Sequence, residues 1–434
     1  MARNAKKQLV GARLAVAIAL MSANFAWAQT PRQPVQGVDM RVTGENDTNP
    51  SAIGSVQTGP GTGINEAGAE SRPTRGIELR LSVGNGYDDN VFRTESNTDD
   101  DFFWSIRPSL VFNGGLDRHR YRLGYNGDYV RHFEFSDEDF NDHRLFGDAS
   151  FDVTRKLDFN IDGEMLWGHD PRGAPGTCIV CSPELDTWRS HRAGAELVIG
   201  RTISRAQIIP ALAFSGIRYT NNNQSDRDFD RQDYRLRARY RISPRFWVIG
   251  DGGYAVINHL DPSNTLDRTE FDLLGGIGWE ATAKTSGEVL VGTLIQDFES
   301  PTQPSGTNFN WLVRVFWEPR TYSKVTLFTR RRSQEDASGG IGSFLADTFG
   351  VAWRHGFTES LVMGTGVDYT IAQYDTGRDD DYVVFGIELS YELNRWLDVS
   401  AEYRYENRRS NIPGIDYDDN TVLLKLTTGL YHGF

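Results

Sequence analysis

Residues 233–242, DYRLRARYRI, place Arg235, Arg237, Arg239 and Arg241 at every second position. In an extended strand successive side chains point to opposite faces, so the four guanidiniums form a column on one face. Tyr234, Leu236, Ala238, Tyr240 and Ile242 line the other. A guanidinium is always charged and offers a rigid fork of donors to anionic oxygens. A column of them is either a track for polar or anionic groups or one half of a layer of ion pairs. The same parity argument, applied along the chain, puts Arg80, Arg107, Arg122, Arg314, Arg330 and Arg404 on the polar face with Glu78, Asp162, Glu164, Glu196, Asp272, Glu288, Glu388 and Glu402.

Other residue groups could do chemistry and are read more plainly. Aspartates cluster at 99–101, 137 and 139, 226, 228 and 230, 379–381, and 418–419. Close carboxylates can hold Ca²⁺ or share divalent ions with lipopolysaccharide phosphates, but the EF-hand spacing with its glycine is missing, so hydrated loop acids are expected and no resident metal. Cys178 and Cys181 form one Cys-x-x-Cys with no second pair, which is short of a structural zinc set and suits a loop staple or free thiols. Ser190 and His191 are neighbours and point to opposite faces, and no Gly-x-Ser-x-Gly or His-Glu-x-x-His occurs, so no lipid hydrolase and no cofactor is expected.

The elements that must carry these residues show one period. From residue 76 apolar and polar residues alternate, as in GIELRLSV, RYRLGYNGDY, KLDFNIDGEMLW, NFNWLVRVFWE and WLDVSAEYRYE. The runs number about 18, with 16–18 compatible, at roughly 20 residues per strand and link. Short turns (114–118, 155–156, 243–245, 318–322, 355–359, 394–395) alternate with longer polar links. That beat predicts an all-β transmembrane antiparallel meander barrel, with the long links outside. Four arginines facing hydrocarbon would cost ~2–4 kcal/mol each at the bilayer midplane, so the column is expected to line an aqueous lumen. Trp104, Trp167, Trp247, Trp279, Trp317 and Trp353 fall near strand ends and are expected as interfacial girdles on the apolar face. A final strand ending Leu424, Leu426, Leu430 and Phe434 is similar to the signal by which outer-membrane barrels are inserted, which makes barrel-insertion machinery an expected partner.

Charge and composition exclude several classes. Mean hydropathy is -0.48, and no mature segment offers the ~20 apolar residues of a spanning helix. Residues 1–28 read as an export signal, with Arg3, Lys6, Lys7 and Arg13 before an apolar run and Ala26-Trp27-Ala28 at the cleavage site. Removing those four positive charges takes the formal net charge from -13 to -17, which argues against nucleic acid as a partner. Residues 29–75, rich in Pro, Gly, Asn, Thr and Ser, are expected as a flexible periplasmic segment or a lumenal plug, and residues 76–434 as the barrel.

The tetrapeptide YDDN occurs at 87–90 and again at 417–420. If the first and last strands pair, both copies meet at the outer rim. The stretch GYDDNVFR with its exported leader and alternating remainder resembles the β-barrel porin type 2 family over about residues 76–434. That resemblance implies an outer-membrane location, reached through the periplasm, and a role in solute passage or exopolysaccharide export; it supplies no catalytic residues. The expected function is passage or export of polar solutes, a polysaccharide among them, through a charge-lined lumen in contact with outer-membrane lipid and lipopolysaccharide. The pore-lining track is expected at Arg235, Arg237, Arg239, Arg241, Arg314, Arg330 and Arg404. A non-conducting barrel that docks a polysaccharide secretion machinery is the alternative.

Overall fold

The computed structural model describes residues 75–434 except 117, 178–183, 201–203, 283, 337–341 and 434. The export signal, the lead-in up to residue 74, Cys178, Cys181 and Phe434 lie outside the described residues. The strands are β1 (Gly76–Asp88), β2 (Asp101–Leu116), β3 (His119–His132), β4 (Phe140–Thr154), β5 (Leu157–His169) and β6 (Thr187–Ile199). They continue as β7 (Ala206–Tyr219), β8 (Phe229–Ser243), β9 (Phe246–His259), β10 (Arg268–Thr282), β11 (Thr285–Phe298) and β12 (Gly306–Arg320). The last six are β13 (Ser323–Asp336), β14 (Gly342–Gly356), β15 (Leu361–Tyr374), β16 (Asp379–Asn394), β17 (Leu397–Ser410) and β18 (Tyr417–Gly433). Each pairs antiparallel with its sequence neighbours, and β1 pairs with β18 from Gly76↔Gly433 to Asp88↔Thr421, so the sheet of 18 strands is closed and has no edge. Closure is what hydrocarbon demands, because an unpaired backbone group has no water partner there.

The links after the odd strands run from four residues (375–378) to seventeen (170–186) and those after the even strands from two to six, so the longest loops share one end, the outer one. The outward face follows the period of two. Ile77, Leu79, Leu81 and Val83 on β1, Tyr234, Leu236, Tyr240 and Ile242 on β8, and Phe271, Leu273 and Ile277 on β10 are large, apolar and exposed. Among the described residues, Arg, Lys, Asp and Glu occur on that face near the outer ends of strands, at Arg131, Arg189, Arg218, Asp230, Asp297, Arg331, Asp347, Asp379, Asp381, Arg409 and Asp418, and at the inner turn, where a bulge sets Arg320 opposite Ser323. Among the described residues the middle of the wall is free of ionised groups, the distribution a bilayer core selects.

Five of the six tryptophans expected in the girdles share the outward face, Trp104, Trp167 and Trp317 being the most exposed. Trp247 does not. Its neighbours Phe246 and Val248 are exposed at 41% and 46%, so parity turns the indole inward, where it is 6% exposed and packs with Ile249, Leu274 and Leu290. Gly278, directly opposite on β10, makes room for it, since a Cβ there would collide with the indole nitrogen. Position near a strand end suggested a girdle residue; the alternation decides.

Candidate functional site: the lumenal charge layer and the outer mouth

The β8 column faces inward. The two-residue turn at Pro244–Arg245 sets the β8–β9 register, which brings Arg237 directly opposite Asp251. Asp251 is 2% exposed and takes a forked pair of hydrogen bonds from Arg235, Nε to Oδ1 at 2.6 Å and Nη2 to Oδ2 at 3.0 Å. It also accepts from Arg237 Nε at 2.5 Å. Arg237, 1% exposed, reaches on to Glu288 of β11 at 3.3 Å, and Glu288 accepts from Arg314 of β12 at 2.9 Å. Two of the four column arginines are therefore bound into a wall layer spanning β8 to β12.

Arg239 differs. Among the described residues its guanidinium makes no hydrogen bond and no ion pair; Nε is buried without a partner, and the charges that act on it are those of Arg237, Glu288, Arg314 and Glu196. Around it Arg235, Arg237 and Arg314 stand among Glu196, Asp251, Asp272 and Glu288. Arg241 continues the column inward of it. Arg330 and Arg404 sit elsewhere on the wall: both act on the buried Asp368 of β15, and Arg404 pairs with Glu406 on its own strand. The seven arginines thus share the inward face, but the structure brings Arg235, Arg237, Arg239 and Arg314 together, with Arg241 next along the column.

The outer mouth holds a feature the period could not show. After β5 the chain turns across the barrel end, and residues 170–177 reach the wall at β15, β17 and β18. The Gly173 carbonyl accepts from Arg408 Nη1 at 3.3 Å and from Tyr417 Oη at 3.2 Å, and the Gly176 N–H donates to Tyr374 Oη at 3.2 Å. Gly173 is in the left-handed region, φ 74°, packed against the Tyr417 ring. Arg172 extends to Glu138 at 2.7 Å and lies over Phe92. The root is a buried node: Asp170 accepts from Trp188 Nε1 at 2.9 Å, Arg227 Nη2 at 2.8 Å and Tyr219 Oη at 3.3 Å. Burial pushes the Asp170 carboxyl up from its ordinary range, and Arg227 opposes the shift.

The two YDDN copies meet at the β1–β18 seam. Asn420 donates to Asp89 through its backbone N–H at 2.7 Å and its amide at 2.9 Å; Asn90 Nδ2 donates to the Asp418 carbonyl at 2.8 Å. Inward of them Arg93 joins Asp88 at 2.9 Å and Asp419 at 3.0 Å. Asp88, Asp89 and Asp419 are close enough to share a cation, and the Arg93 guanidinium already occupies the inner side of that cluster. Replacing Asn420 with Ala keeps the backbone N–H bond to Asp89 but removes the amide bond to Asp89 and the one accepted from Tyr403 Oη at 2.7 Å, so it should lower the temperature at which the folded gel band disappears, at a cost of about 1–2 kcal/mol.

Two of the clustered aspartates, Asp139 and Asp228, and two outside the clusters, Asp267 and Asp416, do backbone work that composition alone did not reveal. Asp139, Asp228, Asp267 and Asp416 accept the terminal N–H of β3, β7, β9 and β17 at 2.7, 2.7, 2.6 and 2.8 Å. Each closes the last rung where the ladder runs out, the role short polar side chains take at turns.

Comparison with solved structures returns outer-membrane proteins at low identity. OpdO of Pseudomonas aeruginosa is 12% identical with a TM-score of 0.44, over 82% of this chain and 97% of that one. OpdK of Pseudomonas aeruginosa with vanillate gives 10% and 0.42, over 82% and 99%. A BenF-like porin from Pseudomonas fluorescens Pf-5 gives 8% and 0.43, over 82% and 99%. No curated protein matches. The family model described as "Putative beta-barrel porin 2" matches residues 77–429, nearly the whole barrel from β1 to β18, and the chain belongs to that family.

Proposed function

We propose that this outer-membrane barrel is a passive channel that favours anionic polar solutes, with Arg239 as their contact in the lumen. The observation that carries the reading is the contrast on β8: Arg235 and Arg237 are neutralised by Asp251 and Glu288, while Arg239 has no partner among the described residues. A fixed charge in a narrow, low-dielectric passage concentrates its counter-ion. A polysaccharide bearing carboxylates would satisfy the same contact; a neutral one would not. The second reading, a non-conducting barrel that docks a secretion machinery, draws on the loop 170–177 pinned across part of the mouth.

Swelling of proteoliposomes in gluconate, in a neutral sugar of equal size and in an amine of equal size tests both. The expected order is gluconate first, with Arg239→Ala lowering the gluconate rate roughly fivefold, the weight of about 1 kcal/mol, and leaving the sugar rate unchanged. Entry of none of the three favours the docking barrel, and equal entry of all three ends the role of Arg239.

A further inference from the structure

Among the described residues the outward face carries five arginines near its outer rim, and four of them are tied to the next strand. Arg131 Nη2 donates to Asn141 at 2.6 Å, Arg218 Nη2 to Asp230 at 2.6 Å, Arg331 Nη2 to Asp347 at 2.6 Å and Arg409 Nη2 to Asp418 at 2.8 Å. All four also cap carbonyls: Arg131 those of Val130 and Phe140, Arg218 those of Ile217 and Phe229, Arg331 that of Phe309, and Arg409 those of Arg408 and Tyr417. Arg189 is the fifth. It is exposed, two residues from the start of β6, and among the described residues makes no hydrogen bond or ion pair.

Its surroundings make that open fork notable. Register places Arg189 directly opposite Arg218 on β7 and directly opposite Trp167 on β5, with His191 exposed one step inward on the same face. Like charges directly opposed on one face of a sheet repel. Arg218 spends its donors on Asp230 and two carbonyls, and Asp228, which acts on both arginines from a distance, is held by the Tyr219 N–H. Trp167 marks the level as the headgroup zone, where an indole ring sits at the boundary and a cation meets lipid phosphates instead of acyl chains.

We propose that Arg189, with His191 and the Trp167 ring beside it, is a contact for a phosphate of the phosphorylated glycolipid of the outer leaflet, lipopolysaccharide. The ligand's charge relieves the repulsion between Arg189 and Arg218, and its sugar lies along the Trp167 edge. This site is on the lipid side of the wall and is independent of the lumenal reading.

Native mass spectrometry of the full chain in detergent, titrated with bisphosphorylated lipid A, tests it. The expected result is a one-to-one adduct weakened about fivefold or more in Arg189→Gln, the share of one charge-assisted contact in a hydrated setting, and largely kept in Arg189→Lys. Arg118→Gln, at the opposite rim, should leave the adduct intact, and swelling rates should not change in any of the three. Equal lipid A retention by Arg189→Gln and the parent overturns the proposal. So does displacement of lipid A by millimolar inorganic phosphate, which would mark a free-anion site in place of a lipid contact. Persistence of the folded band on unheated gels confirms that each variant compared is intact.

Discussion

Asp251→Ala is expected to destabilise the barrel by about 3–5 kcal/mol, because it strands Arg237 without its closest counter-charge in a setting where the side chain is 1% exposed. Arg235 can turn its half-buried fork to lumenal water; Arg237 cannot, and Glu288 is shared with Arg314. The variant should lose its folded gel band at a markedly lower temperature and unfold from vesicles at lower urea. A second chain, Asp251→Leu with Arg237→Met, should recover most of the loss, since replacing both partners of a buried pair with apolar groups is often nearly neutral. If Asp251→Ala matches the parent in urea, the layer is not the bracing element its geometry implies.

Gly173→Ala should release the loop at the mouth. An alanine at φ 74° costs about 1 kcal/mol in backbone alone, and its Cβ would displace the Tyr417 ring, loosening hydrogen bonds worth about 1 kcal/mol each. A combined loss of ~2 kcal/mol raises the population of the detached loop roughly thirtyfold. Cleavage by trypsin after Arg172, which requires that detached state, should accelerate by a similar factor while the barrel stays resistant. Larger single-channel conductance should accompany it. Unchanged cleavage would mean that Arg408, Tyr417 and Tyr374 do not hold the loop closed.

What could be read from the sequence divides along physical lines. The period of two gave the inward column at Arg235–Arg241 and the apolar outer face, because alternation is a property of each strand alone. The meeting of the two YDDN copies also followed, since closure forces first and last strands together. The Arg237–Asp251 pair was within reach: with the turn at Pro244–Arg245 fixing the hairpin, Asp251 in IGDGG falls opposite Arg237. Glu288 required two further registers, β9–β10 and β10–β11, the second shifted by a bulge at Glu280/Thr282, and Arg314 required a third, β11–β12. The contacts of Gly173 with Arg408 and Tyr417 join residues more than 230 positions apart, and no local signal carries that information. Trp247 was misplaced because proximity to a strand end was weighed above parity.

The most direct measurement is single-channel recording of the reconstituted protein across a planar bilayer with a tenfold KCl gradient. A water-filled lumen with the Arg239 guanidinium on its wall, unpaired among the described residues, predicts discrete conductance steps and a reversal potential displaced toward that of chloride. Stable insertion with no steps, or a reversal potential on the potassium side, would contradict it.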